Sequence, residues 1–548
     1  MQESGKIPIT VGIAGHPDTI IADQHRIQIE NLFKDLAGAY PHSPVYLFLT
    51  IAKGVNRFIS NIFLELKSTN EKYQDKFELI IILPQDDKTY DETDKETIDL
   101  LKKAKSKIYI PSNNNRSEGS DNYFESLKFV ADSSLIFISL WDGINTEKGK
   151  NSDIVKYKIT GDEKDVAKST FEYNGTVFLI SCDRNTAGVN ISKTDKNNIK
   201  LSLEKVLEET SIRQTLDKIE EINTDSLKIS PESQNLSLRK LAENPELLGE
   251  PEKSILNIYS ILDVLSLYYH KRYNKTVIWL FITGLFIVMS FGIYTNLWLN
   301  KITLTIAIVL ILIAGVIYYY STITKHHTKY IYNRTLAEAL RIQFYWNLAG
   351  INNNVSDFIL RIHRKEFIWI EHILSIVYGI TYNTKPITPD AINDLTVNWV
   401  KKQADYFDSS IKKMTQKMTK YQVISNLAFI AAIALLLSIF FFEKIYSINN
   451  RMGFLQVAIG TLLGIFALIR GYIQIKGYNQ LLNQYELMNV LYQKAETKIN
   501  QVISASPESE EQSAYLKELF FIIGKESLIE NGTWYLILKD KEPGIEGI

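Results

Sequence analysis

Several signatures that would announce a function are missing from this sequence. A single cysteine, Cys182, excludes a disulfide within the chain and a cysteine-based metal site, and suits a reducing compartment. Neither charge dominates: 61 Lys and Arg stand against 62 Asp and Glu, for a formal net charge of -1. Nucleic-acid-binding domains carry a basic excess, so no nucleic-acid partner is expected. Histidines number only 8, and no HExxH or comparable metal-ligand spacing occurs. His16, Asp18, Asp142 and Glu147 can supply acid-base groups, but no His-Asp-Ser order accompanies them, so no catalytic residue is assigned. The opening residues, MQESGKIPITVGIAG, lack a basic region followed by an apolar signal core. The N-terminal half is therefore expected to remain where it is made.

Charge is also absent from four long apolar stretches, 276–294, 302–320, 424–442 and 453–469. Each approaches the ~20 residues that a membrane-spanning helix needs, and they read as two hairpins. Lys271, Arg272 and Lys275 precede the first hairpin, and Lys325 and Lys329 follow it. Lys412, Lys413, Lys417 and Lys420 precede the second, and Arg470 and Lys476 follow it. The connecting loops hold only Lys301 in one and Lys444 with Arg451 in the other. The positive-inside rule then predicts a multi-pass protein of the cytoplasmic (inner) membrane with both termini cytoplasmic. Trp279, Tyr294, Trp298 and Tyr318 to Tyr320 fall near the expected interfaces. Intramembrane carboxylates that would mark proton-coupled transport are lacking. In the fourth stretch Gly453, Gln456, Gly460, Gly464, Ala467 and Gly471 recur at intervals of three or four. They share one helix face, suited to helix packing or, through Gln456, to lining a pore.

The N-terminal half alternates strand-like and helix-like runs. Strands are expected at 6–13, 45–50, 78–83, 107–110, 134–140 and 176–180, and helices at 24–39 and 57–67. Strands separated by helices imply a mostly parallel sheet in an α/β, Rossmann-like domain. Ligands in such sheets bind beyond the carboxyl ends of the strands. Three polar, glycine-bearing loops fall there. The first, GIAGHPD, offers Gly12, Gly15 and His16; its glycines open backbone N–H groups to an anion. The second, TIAKGVNRF, offers Thr50, Lys53, Gly54, Asn56 and Arg57 leading into a helix N-terminus, a natural phosphate site. The third, WDGINTEKGKNSDIV, offers Asp142, Gly143, Gly149 and Ser152.

The order GIAGHPD, LTIAKGVNRF, ILPQ, FVADSSLIFISLWDG, GKNSDIV resembles the SLOG superfamily of Rossmann-like nucleotide sensors and nucleotide-processing proteins. Pro17 replaces a common arginine, Asn56 a common aspartate, and Lys150-Asn151-Ser152 an expected glycine-glycine-threonine run. The PGGxGTxxE motif of the monophosphate-cleaving branch is absent, which favours binding over catalysis. Further on, LAEALRIQFYWNLAG, VNWVKKQADYF and GKESLIENGTW resemble the SLATT family, whose two-helix membrane modules accompany nucleotide-sensing domains. Tyr-Asn-x-x-Leu occurs at both Tyr332 and Tyr478, a hint of internal duplication.

The chain accordingly divides into a SLOG-like domain (1–195), a helical linker (196–254), a first membrane hairpin with cytoplasmic helices (255–385) and a second (386–548). The linker is polar and broken by Pro231, Pro245 and Pro251, and from Ile255 a helix pattern runs toward the first apolar stretch. The resemblance implies a homo-oligomeric effector of bacterial anti-phage defence. It would sense a nucleotide-derived second messenger, of the cyclic nucleotide or cyclic ADP-ribose type, made by a separate enzyme, and breach the bilayer. Neither cofactor nor metal is expected. A membrane-anchored nucleotide hydrolase and a ligand-free scaffold are the alternatives.

Overall fold

Short runs of β-branched and aromatic residues in the first half become a six-stranded parallel sheet. The computed structural model describes residues 5–16, 19–84, 94–111, 119–141, 151–160, 176–181, 201–359, 364–383, 388–448, 451–505, 509–539 and 541. The strands are β1 (Ile9–Gly15), β2 (Val45–Thr50), β3 (Phe77–Pro84), β4 (Ser106–Ile110), β5 (Ile136–Trp141) and β6 (Val177–Ser181). They lie in the order β4-β3-β2-β1-β5-β6, with every neighbouring pair parallel. All seven residues of β1 are buried, the mark of a strand covered on both faces. The expected strands all form, with ends shifted by a residue or a few; the first begins at Ile9 rather than Lys6 because the residues before it lead into the sheet rather than pair.

The covering helices are α1 (Asp23–Ala39), α2 (Val55–Thr69), α3 (Glu71–Gln74), α4 (Lys95–Lys103), α5 (Gly119–Ser133) and α6 (Asn151–Thr160). On one face Phe33 of α1, Phe63 of α2 and Phe77 of β3 interlock, with Phe63 and Phe77 stacked at 4.8 Å between centroids. On the other face Leu127, Val130 and Ala131 of α5 pack on Phe48, Ile80 and Phe137. This is the layered logic of an α/β domain.

Next come α7 (Leu203–Glu208), α8 (Thr210–Ser226), α9 (Pro231–Leu241), α10 (Glu250–Asn296), α11 (Lys301–Thr324), α12 (His326–Leu348) and α13 (Arg364–Thr381). The stretch expected as a linker is tied into the α/β domain. Ile212, Leu216, Ile219 and Ile222 of α8 are buried. The Asn223 amide donates to Ile7 O (2.8 Å) and Ser43 Oγ (2.9 Å), and its Oδ1 accepts from Ile7 N at 2.9 Å. Glu220 accepts from His42 N at 3.0 Å and Ser43 Oγ at 2.6 Å. The prolines start elements rather than break them, Pro231 opening α9 and Pro251 falling in the first turn of α10.

The chain separates into two units, Met1–Leu262 with Leu336–Ala391, and Asp263–Thr335 with Ile392–Ile548. The segment expected as the first hairpin module, 255–385, is thus divided. Its α13 packs on α5 and α8, within the α/β unit. A Cβ on Gly379 would lie 2.4 Å from Ser133 Cβ, so only glycine lets α13 approach the end of α5 so closely. Buried Leu336, Leu340, Phe344 and Trp346, from the LAEALRIQFYWNLAG segment, belong to the core of this unit.

The chain continues through α14 (Pro389–Asp394), within which the second unit resumes at Ile392, a π-helical turn (Leu395–Lys401), α15 (Lys402–Ile448), α16 (Met452–Ile475), α17 (Tyr478–Ala505) and α18 (Glu510–Lys539). Among the described residues four helices, containing the four uncharged stretches, are long and apolar enough to cross a membrane. α10 runs unbroken from Glu250 to Asn296, as the pattern from Ile255 predicts. α11 and α12 meet at Lys325, whose φ of 48° is left-handed; α16 ends before Gly477, at φ 61°. Non-helical angles at Phe442 interrupt α15 where the third apolar stretch ends. Trp399 of the π-helical turn stacks on Phe520 of α18, and Tyr492 of α17 shares a 2.7 Å hydrogen bond with Ser527 of α18. The Tyr-Asn-x-x-Leu matches fall in different settings. Tyr332 is buried inside α12, whereas Tyr478 is the partly exposed first residue of α17.

Candidate functional site

From β1 the chain steps outward through β2 and β3 to β4, then crosses back to β5 on the other side of β1. The order reverses between β1 and β5, and open α/β sheets bind ligands at the carboxyl ends of the strands flanking such a reversal. Gly15, the last residue of β1, is paired there with Leu140 of β5. Thr50 ends the adjacent β2, and a short loop leads from it to the start of α2 at Val55.

The local sequence explains how α2 reaches this edge. A Cβ on Gly15 would lie 2.5 to 2.6 Å from three atoms of the Val55 side chain, so the missing side chain lets the first turn of α2 sit against the end of β1. Gly54 takes φ 77° at the N-cap, a conformation glycine adopts without steric cost. No side chain caps α2, which leaves the positive end of its dipole and its first N–H groups to other partners. Lys53 is exposed and has no partner among the described residues. His16 is partly buried beside Gly15, and its carbonyl accepts from Thr19 N at 3.2 Å.

Other expected ligand groups have structural employment. Gly12 lies inside β1, paired on both sides, and a Cβ there would lie 2.1 Å from Ser134 Oγ. It serves strand packing and does not open a backbone face to an anion. Asn56 is buried; its Nδ2 donates to both Thr50 O and Thr50 Oγ1 at 3.0 Å, closing the β2–α2 loop. Its Oδ1 has no partner among the described residues. Thr50 Oγ1 also donates to the Tyr123 hydroxyl at 3.3 Å, and burial raises that phenol's pKa. Arg57 turns toward α4: it donates to Asp94, to Glu96 Oε2 at 2.7 Å and to Thr97 Oγ1 at 3.1 Å. The hydrogen bond from Arg57 holds the Asp94 carboxyl below its usual range. A guanidinium so engaged is not free to neutralise a phosphate.

Asp142, Gly143 and Gly149 lie outside the described residues, as do Pro17, Asp18 and Glu147. Ser152 falls in the first turn of α6, the helix that follows β5, and so belongs to the same edge. The edge therefore gathers Gly15, His16, Thr50, Lys53 and Gly54, with the start of α6.

In the second unit the small-residue stripe of α16 splits. Gly453 and Gly464 face α10: added Cβ atoms would lie 2.2 Å from Asn296 O and 3.2 Å from Val288. Gly292 and Gly284 of α10 lie opposite Val457 and Leu468, so the two helices run antiparallel along a glycine-lined contact. On the neighbouring side α15 approaches through Phe429 and Phe466, 4.9 Å apart, and through Asn426 and Arg470 at 2.7 Å. Gln456, Gly460 and Ala467 are exposed, and nothing lies within 4 Å of a Cβ on Gly460. In α11 only Ala307 is buried.

A cleft of about 420 Å³ opens at the opposite, amino-terminal edge of the sheet, within the α/β unit. Ser133, Ser134 and Leu135 before β5 and Thr176 before β6 meet α8 and α13 there. The sequence reading missed it, although Glu371, Ser375, Tyr378 and Tyr382 recur at helical spacing and mark a polar-aromatic face.

The chain is thus a doubly wound α/β domain carried with four helices of membrane-spanning length. No protein-family model matches it, and no curated protein does.

Proposed function

We propose that the protein is a ligand-controlled membrane effector. The α/β domain binds a nucleotide-derived anion at the carboxyl edge of β1, β2 and β5, and the four long helices cross the cytoplasmic membrane with both termini cytoplasmic. The observation that carries this reading is the β1/β5 reversal, where Gly15 seats the uncapped N-terminus of α2 at the end of the strands. Phosphate oxygens accept from the first N–H groups of α2, and Lys53 supplies the positive charge. Open apolar surface supports the membrane placement: Ile302, Val316 and Phe440 are 71%, 68% and 76% exposed.

Binding controls the helices only if the ligand prefers one of their arrangements. In this reading the occupied state is the assembled, leaking one, several copies take part, and a separate enzyme makes the signal. Cyclic nucleotides and cyclic ADP-ribose isomers are the ligand classes to test. The motif resemblances to SLOG and SLATT proteins support a place in bacterial anti-phage defence.

The test is dye release from liposomes carrying the full-length protein. One of these nucleotides is expected to start release, and Lys53→Ala to raise the concentration needed by about tenfold or more, as expected for a lost charge-assisted contact. Absence of release with every ligand of both classes, or an unchanged response in Lys53→Ala, overturns the proposal.

A further inference from the structure

We infer that one face of α15, carrying Lys413, Lys417 and Lys420, docks on anionic phospholipid headgroups at the bilayer surface. The inference rests on the membrane placement proposed above, and not on the nucleotide edge.

The three ammonium groups lack a counter-charge within the described protein. All three are exposed, and none has a partner among the described residues. Between Asp408, which pairs with Lys412 at 2.6 Å, and Glu443 the chain has no acidic residue. Other cations beside the apolar stretches are held internally. Arg470 donates to Asn426 Oδ1 at 2.7 Å, Lys476 donates to Asn274 Oδ1, and Arg272 lies over the Tyr268 ring at 4.6 Å.

Position supplies the partner. Lys413, Lys417, Lys420, Ile424 and Leu427 recur at intervals of four and three, so they lie along one side of a continuous helix. Ile424 and Leu427 are 41% and 60% exposed, which makes the lysine face the direct extension of an open apolar one. Buried Ser425 and Ala432 mark the packed side. At about 1.5 Å per residue, Lys420 lies about 6 Å and Lys417 about 10 Å from the start of the apolar stretch at Ile424. Headgroups occupy roughly 5–8 Å on each side of the hydrocarbon, and lysine stems extend to place both ammonium groups at that level. Lys413, about 16 Å from Ile424, acts across roughly a Debye length. The lysines form a row about 10 Å long rather than converging on one point, which suits a layer of headgroups better than a single phosphate. A shallow groove beside them passes Thr415, Gln416 and Thr419, whose hydroxyl and amide groups can donate to phosphate oxygens.

Electron paramagnetic resonance of spin-labelled phosphatidylglycerol and phosphatidylcholine, in liposomes carrying the full-length protein, measures the lipid preference. At low salt phosphatidylglycerol is expected to be preferred by about threefold or more, since each lysine at an anionic surface contributes on the order of a fivefold change. The triple variant Lys413→Gln, Lys417→Gln, Lys420→Gln is expected to lose most of that preference. The same charge change at exposed Lys494, Lys498 and Lys525, each to Gln, is expected to leave it intact. Melting in detergent micelles establishes that both variants are folded, and the native protein alone can decide against the inference. No preference in the native protein, native preference in the folded triple variant, an equal loss in the control, or loss of preference to millimolar inorganic phosphate at constant ionic strength overturns it. Alkaline extraction of the same liposomes separates the two readings. Release of the protein removes the membrane placement and this inference together, whereas retention without lipid preference removes this inference alone.

Discussion

Lys76 shows how much one side chain can be asked to do. It is buried, and its ammonium donates to the carbonyls of Ala37 and Tyr40 at 2.7 Å each, where α1 ends. Those bonds satisfy orphan carbonyls at the negative end of the helix dipole. Burial nevertheless lowers the ammonium's pKa from 10.5 to about 8. Between those values the unfolded chain keeps a proton that the folded chain has released, so stability rises with pH across this window. The gain is lost as pH falls through about 8. Above pH 10 the Tyr40 phenol, pushed up to about 12 by burial, acts with the opposite sign. Relative to Lys76→Met, the native protein is expected to gain about 1–3 kcal/mol between pH 7.5 and 9.5. Chemical denaturation at intervals across that range measures it; parallel slopes for the two proteins would remove Lys76 as the cause. Nothing at Lys76 in the sequence announces this, because its partners are carbonyls from another helix. The same holds at the candidate site. Gly15 and Gly54 are legible as glycines that a turn requires, but Gly12 and Arg57 are not distinguishable from ligand groups until Ser134, Asp94 and Glu96 are in place.

Periodicity was enough to find most elements, because a strand or helix declares itself over a few residues. The strand at 45–50 and the helix near 24–39 need only local information. The side-by-side placement of β1 and β5 depends instead on a crossover of the whole chain, and so does the docking of α13 on α5. α16 illustrates the same limit within one helix. Its small residues share a face, yet only the position of α10 tells Gly464, packed on Val288, from Gly460, which faces open space. Gly464→Leu forces a side chain into that contact and is expected to cost about 1–3 kcal/mol. Gly460→Leu is expected to change stability by less than about 0.5 kcal/mol, since it meets no neighbour and leucine favours helix. Melting of both variants in detergent micelles separates the sides. Equal losses would mean that Gly460 is packed as tightly as Gly464.

At the scale of the whole molecule, the proposed function requires that something connect the candidate edge to the long apolar helices. α10 is the candidate connection. Its first residues, Ile255, Ile258 and Leu262, are buried with the α/β unit, and without a break it becomes the apolar stretch that meets Gly464. A continuous helix transmits displacement because bending it breaks hydrogen bonds between successive turns. Leu267 and Lys271 are exposed positions four residues apart on this segment. Replacing both with glycine removes no buried contact, but lowers helix propensity by about 1 kcal/mol at each site. Under the proposed function, the Leu267→Gly, Lys271→Gly double variant is expected to bind nucleotide with native affinity while ligand-dependent dye release falls severalfold. Calorimetry and liposome release on the same preparation measure the two quantities. Release at the native level with native binding would show that the signal does not pass through this stretch of α10. Loss of binding together with release would mean instead that the helix shapes the nucleotide site itself, and coupling would then have to be sought in the elements that pack directly on the sheet.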